Sequence, residues 1–209
     1  MKRACYGLRL YPGTEAEYDR RHAEVRPELK RAIREAGIRN LSAFRRGTDV
    51  WHYAECDPDG TTAFAKLGAT NVNAKWDESL RPIVAADERI WFQEIFHANG
   101  AGVGPFERGL FTLVVHPDRI AEYDDRHANP WPEMMRALDD SGFHNYTGFR
   151  RGSHVVYYGE FYPDMARVVA AIGATDVNRR WNVSFEGIIT TITDATGKLV
   201  TGREVFHLD

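Results

Sequence analysis

Apolar positions along the chain change rhythm at regular intervals, and the changes predict a series of elements. Residues 3–11 (RACYGLRLY) and 108–116 (RGLFTLVVH) are compact apolar runs that read as opening strands, each stopped by Pro12 or Pro117. The rhythm then becomes helical. Ala16, Tyr18, His22, Val25, Leu29 and Ile33 fall near 3.6-residue spacing, as do Ile120, Tyr123, His127, Met134 and Leu138. Pro27, and Pro130 with Pro132, lack an N–H and clash one turn back, which predicts a break after His22 and after His127. A second short helix then ends at Gly37 or Gly142. Paired strands follow over 40–56 and 145–161, turning at Arg-Gly with a small polar residue. Pro58 and Pro163 close them, short helical segments come next, and Thr70 and Thr175 supply N-caps. Val72, Trp76, Leu80 and Ile83 form one further stripe, and Val177, Trp181, Phe185 and Ile188 another. Strands over 89–97 and 199–209 complete two series, each of order βαββαβ.

The two series are one unit written twice. Residues 1–80 placed over 106–185 without a gap give 33 identities in 80 positions, among them Tyr18/Tyr123, His22/His127, Asn40/Asn145 and Trp76/Trp181. The expected organisation is an α+β unit over 1–98, a glycine-rich linker over 99–105 and a second α+β unit over 106–209. A four-stranded sheet with both helices on one face leaves its other face bare, and that face must be covered. The second copy is the simplest cover, which predicts an intramolecular pseudo-dimer with its sheets face to face or wrapped into a barrel. Further homo-oligomerisation is left open.

Composition narrows the classes. The 209 residues are 43% hydrophobic and 27% charged, with a formal net charge of -3 and no basic block, which argues against nucleic acid and anionic membranes as partners. No apolar stretch approaches the ~20 residues that span a bilayer, and the opening run is too short for a signal peptide, so a cytoplasmic protein is expected. Cys5 and Cys56 occur only in the first copy. A disulfide framework would repeat with the repeat, so reduced, packed thiols are expected.

Candidate chemistry centres on two Tyr/His pairs. Tyr123 and His127, like Tyr18 and His22, lie four residues apart on one inward helix face. Each histidine is the last before the break, where the helix dipole is expected to hold its pKa at or above about 6.5 and suit it to proton donation. A packed core histidine is the competing reading. Trp181 and Trp76 read either as core or as the floor of a ligand pocket. Tyr146 has Leu41 as its counterpart, so a hydroxyl there exists only in the second copy. One Arg of each pair, Arg45–Arg46 and Arg150–Arg151, could enter a pocket and hold an anion, the alternative being solvated strand ends. The histidine spacing fits no metal motif, and phosphate loops, dinucleotide fingerprints and nucleophile elbows are missing.

The run EYDDRHANPWPE over 122–133, then His144–Tyr146, the stretch TDVNRRW over 175–181 and the ending REVFHL over 203–208 together resemble the L-rhamnose mutarotase family. The similarity covers 106–209 and, more weakly, 1–97. It implies small ferredoxin-like α+β units that pair as a dimeric α+β barrel, need no cofactor and act on a sugar. By that resemblance His127 is the proton donor, and Tyr123, Tyr146, Trp181 and Trp131 stand around the sugar. Tyr18, His22 and Trp76 are the matching positions in the first copy. The chain departs from the family pattern where Asn182 and Asp77 follow Trp181 and Trp76, where Leu41 replaces Tyr146, and where Arg26 replaces Trp131. Three functions are thus expected in order: a cofactor-independent isomerase interconverting sugar anomers by histidine acid–base catalysis; a cofactor-free cyclase, isomerase or oxygenase of the same fold acting on a bulkier or anionic metabolite; and a non-catalytic binding protein. The second copy keeps more of the pattern and is expected to be the working site.

Overall fold

The structure, a computed structural model, describes residues 1–85, 89–102 and 104–209. Val103, within the expected linker, lies outside the described residues. The first repeat runs β1 (Lys2–Arg9), α1 (Glu15–Ala23), α2 (Pro27–Glu35), β2 (Ile38–Arg46), β3 (Asp49–Cys56), α3 (Gly60–Gly68), α4 (Asn71–Leu80) and β4 (Ile90–Ala98). The second runs β5 (Glu107–Val115), α5 (Ile120–Ala128), α6 (Pro132–Ser141), β6 (Phe143–Arg151), β7 (His154–Phe161), α7 (Met165–Gly173), α8 (Asp176–Ser184), β8 (Ile189–Thr191) and β9 (Thr201–Leu208).

These elements form two compact units, Met1–Phe92 with Gly202–Asp209, and Gln93–Thr201. In unit 1, antiparallel strands pair in the order β4–β1–β3–β2–β9, with Cys5 opposite both Tyr53 and Phe92, and Leu41 opposite Leu208. In unit 2 the order is β8–β5–β7–β6–β4, with Phe111 opposite Tyr157 and His97 opposite Thr147. Each unit therefore takes one edge strand from the other repeat: β9 completes unit 1, and the end of β4 completes unit 2.

Local sequence explains the turns. The helices break after His22 and His127 as expected, α1 ending at Ala23 and α5 at Ala128, and Pro27 and Pro132 open the next ones at first-turn positions where no N–H is needed. Gly37 and Gly142 leave those helices at φ +90° and +96°, with the Asp57 and Tyr162 carbonyls close enough to exclude a Cβ. The hairpins turn at Gly47 and Gly152, both at positive φ. Asn40 and Asn145, at φ 46° and 45°, sit at matching bulges of β2 and β6, where each amide donates to a carboxylate, Glu55 or Glu160. Asp59, Asp164, Thr70 and Thr175 cap α3, α7, α4 and α8 by accepting from the backbone N–H three residues on.

Each unit buries an apolar layer between sheet and helices. Leu29, Ile33, Ile38, Phe64 and Leu67 fill it in unit 1; Leu138, Phe143, Phe161, Val168 and Ile172 fill it in unit 2. Cys5 and Cys56 are buried free thiols, with Cys56 pushed up to about 12 by burial. No helix among the described residues is long and apolar enough to cross a membrane. The short β8 had no counterpart among the expected elements, since three residues carry no readable period.

Candidate functional site

In unit 1 the α1 stripe delivers Tyr18 and His22 to a cavity of about 410 Å3, with His52 from β3, Trp76 and Asp77 from α4, and Arg89 before β4. Tyr18 is fully buried and His22 is 7% exposed, so the spacing that shared their helix face also aimed it inward. His22 Nδ1 lies 3.0 Å from the Tyr18 carbonyl, a contact in which the ring must donate. Its Nε2 is then an unprotonated acceptor. Among the described residues it has no hydrogen-bond partner. The Trp76 ring meets the imidazole edge-on at 5.1 Å. Burial lowers the His22 pKa to about 4, a smaller opposing effect coming from the Tyr18 carbonyl.

Around that imidazole the wall is polar. Tyr18 Oη lies 3.2 Å from His52 Nε2, and the Tyr6 ring stacks on His52 at 4.4 Å. His52 Nδ1 is buried without a partner, and burial holds this ring well below the usual histidine range. Asn73 donates to Asp77 at 2.7 Å. Desolvation raises the Asp77 carboxyl, against the pull of Arg89. The Arg89 guanidinium lies 5.2 Å from the centres of the Tyr6 and Phe64 rings.

Unit 2 repeats the frame with other chemistry. Its cavity, about 250 Å3, is lined by Tyr123, His127, Tyr146, Tyr157 and Trp181 among many apolar side chains. His127 Nδ1 again bonds the carbonyl four residues back, from Tyr123, at 2.8 Å. Its Nε2, however, is taken by the Tyr157 hydroxyl at 2.6 Å, and Tyr157 bonds Tyr123 Oη at 2.8 Å. Tyr157 stands where unit 1 has His52. Both nitrogens of His127 are thus committed to the protein.

The family model described as L-rhamnose mutarotase matches residues 3–98 and again 108–208. The chain belongs to the L-rhamnose mutarotase family. An L-rhamnose mutarotase of Oceanobacillus iheyensis is 29% identical over 103 residues, 49% of this chain and 99% of that protein. One of Lactiplantibacillus plantarum is 35% identical over 100 residues, 47% of this chain and 94% of that protein. These relatives are the length of a single repeat, and mutarotases are isomerases by class of reaction. A putative monooxygenase of Lactobacillus acidophilus shares the fold at 11% identity, with a TM-score of 0.62 over 99% of this chain and 96% of that one. The tandem pair of ferredoxin-like units and the dimeric α+β barrel class are thereby shared over nearly the whole chain.

Several residues expected at the site of this mutarotase-family chain lie elsewhere. Arg150 forks onto Asp124 at 2.7 and 2.5 Å, tying β6 to α5, and lies outside the lining of the unit 2 cavity; Arg45 holds Asp19 in the same way in unit 1. Arg151 is exposed and lies outside the cavity lining, because neighbours on a strand face opposite ways. Trp131 packs edge-on against Trp181 at 5.2 Å, under the Arg180 guanidinium, and does not line the cavity. The expected raised histidine pKa is overturned: desolvation outweighs the helix end at both His22 and His127. The structure adds His52, Asn73, Asp77, Arg89 and Tyr157. Asp77 was visible as a departure from the family pattern, and positions 52 and 157 as an aligned His/Tyr pair.

Proposed function

We propose that the chain is an aldose mutarotase whose working site is the unit 1 cavity, with His22 as its general base. One observation carries this reading: the Nε2 of His22 is an unprotonated acceptor left open beside a polar cavity, whereas that of His127 is bonded to Tyr157. Mutarotation needs the anomeric hydroxyl proton removed while the ring oxygen gains one. His22, neutral at pH 7, takes the first proton. Asp77, whose carboxyl is raised by burial, is the nearby group that we assign to give the second directly or through water. The C–O bond opens, the aldehyde turns about the C1–C2 bond, and closure on its other face returns both protons. Trp76 offers an apolar face for the sugar C–H groups, and Asn73 holds Asp77.

Saturation-transfer NMR on L-rhamnose measures anomer exchange directly. Catalysis by the wild type that His22→Ala lowers at least about 100-fold is expected, the range of a lost acid–base group. Exchange unchanged in His22→Ala but lost in His127→Ala would place the chemistry in unit 2. A second reading, an anionic sugar or related acid as substrate, rests on Arg81 and Arg89 in the unit 1 lining. Faster exchange of a uronate than of its neutral parent sugar would select it.

A further inference from the structure

We infer that the unit 2 cavity binds a compact apolar molecule, an aromatic one carrying a single hydroxyl, and not a sugar. This site stands apart from the proposed chemistry of unit 1 and does not depend on it.

The hydroxyls of Tyr123 and Tyr157 and the imidazole of His127 are already spent on one another. Tyr123, Tyr157 and His127 form one hydrogen-bonded chain that ends on the Tyr123 carbonyl. With Nδ1 donating to that carbonyl, Nε2 must accept, so Tyr157 gives its proton to His127 and Tyr123 gives its own to Tyr157. Nothing in that chain is left to donate to a ligand. A monosaccharide bound here would give up its water hydrogen bonds at several hydroxyls and find few replacements. Asn178 and Asn182, at the α8 side, are the other amides in the lining, and Asn182 is exposed.

The remaining wall suits a flat apolar guest. Phe111 and Tyr157 stack at 5.1 Å and 13°, and Tyr146 and Tyr157 at 5.1 Å and 21°, which makes a three-ring face. Leu113, Met134, Leu138 and Ile172 supply adaptable apolar contacts opposite helices and strand. Tyr146 gives an open polar handle among the rings: within the described residues its hydroxyl has no hydrogen-bond partner, although its ring is packed among Phe96, Phe111 and Phe143. In unit 1 the matching position is Leu41, and the positions of Tyr157 and Asn182 hold His52 and Asp77. The same frame thus carries a lining with charged and imidazole groups in one copy and a more apolar one in the other.

The test uses 2-naphthol and naphthalene as probes on the full chain. NMR indole resonances localise binding, since Trp181 lines the unit 2 cavity and Trp76 the unit 1 cavity. Expected are saturable shifts of the Trp181 indole with 2-naphthol while Trp76 stays fixed. Tyr146→Phe should weaken 2-naphthol about five-fold by calorimetry, the effect of one hydrogen bond, and leave naphthalene unchanged. L-rhamnose should leave Trp181 unmoved whether or not it is a substrate. Absence of 2-naphthol binding, shifts at Trp76 alone, equal 2-naphthol affinity in Tyr146→Phe, or rhamnose shifts at Trp181 would each overturn the inference.

Discussion

His22 and His127 make the same local bond, from Nδ1 to the carbonyl of a tyrosine one turn back, and differ only in what meets Nε2. A single substitution tests whether that difference matters. Replacing Tyr157 with Phe frees Nε2 of His127, and His52→Tyr places a phenol against Tyr18 and within reach of His22. The second change is expected to cut L-rhamnose exchange at least about ten-fold, and the first to leave the wild-type rate within about two-fold, both read by saturation transfer. Acid dependence follows from burial. The folded His22 titrates at about 4 against 6.5 for an ordinary histidine. The unfolded chain therefore takes up protons first as pH falls, so stability present above about 6.5 is lost between there and about 4, by about 3 kcal/mol for this residue alone. Urea unfolding at pH 7.5 and 5.0 measures the loss, which shrinks in His22→Phe. Catalysis should show no histidine inflection between pH 7 and 5.5, where an unburied imidazole would titrate. Helical spacing made the Tyr/His pairs legible in the sequence. Their environment was not: the group meeting Nε2 comes from a strand about thirty residues away, and strand register alone decides it.

At the scale of elements, punctuation was the readable part. Proline at the first helical turn and glycine at the helix exit bracket α2 and α6 as their residue types require. Gly142→Ala should cost about 2 kcal/mol or more in urea unfolding, because the backbone is held at φ +96° and a Cβ would lie 2.3 Å from the Tyr162 carbonyl oxygen. Asp164→Ala, which removes the α7 cap, should cost about 1 kcal/mol by the same measurement. The paired arginines misled because both an anion site and an internal clamp want a guanidinium on a strand. Asp19 and Asp124 decide the matter, and they were already in the repeated helix as unremarked neighbours of Tyr18 and Tyr123.

For the whole molecule, the duplication was plain from the 105-residue offset, and the expected units followed the sequence repeat. The compact units do not: β9 lies in unit 1, beside β2, and the end of β4 lies in unit 2, beside β6. A repeat boundary records where a gene was copied. It says nothing of which sheet edge a final strand joins, since both edges offer the same unpaired backbone groups. Phe206 of β9 lines the unit 1 cavity, so a stop after residue 200 is expected to abolish rhamnose exchange although every other residue of that cavity is retained.

That borrowed edge has a consequence for anyone who divides the gene. Two fragments severed at the glycine-rich joint would part β9 from the rest of unit 1 and the end of β4 from the rest of unit 2. Neither should be stable alone, and mixing the purified pieces should restore a single cooperative melt, which makes the pair a natural two-part complementation system.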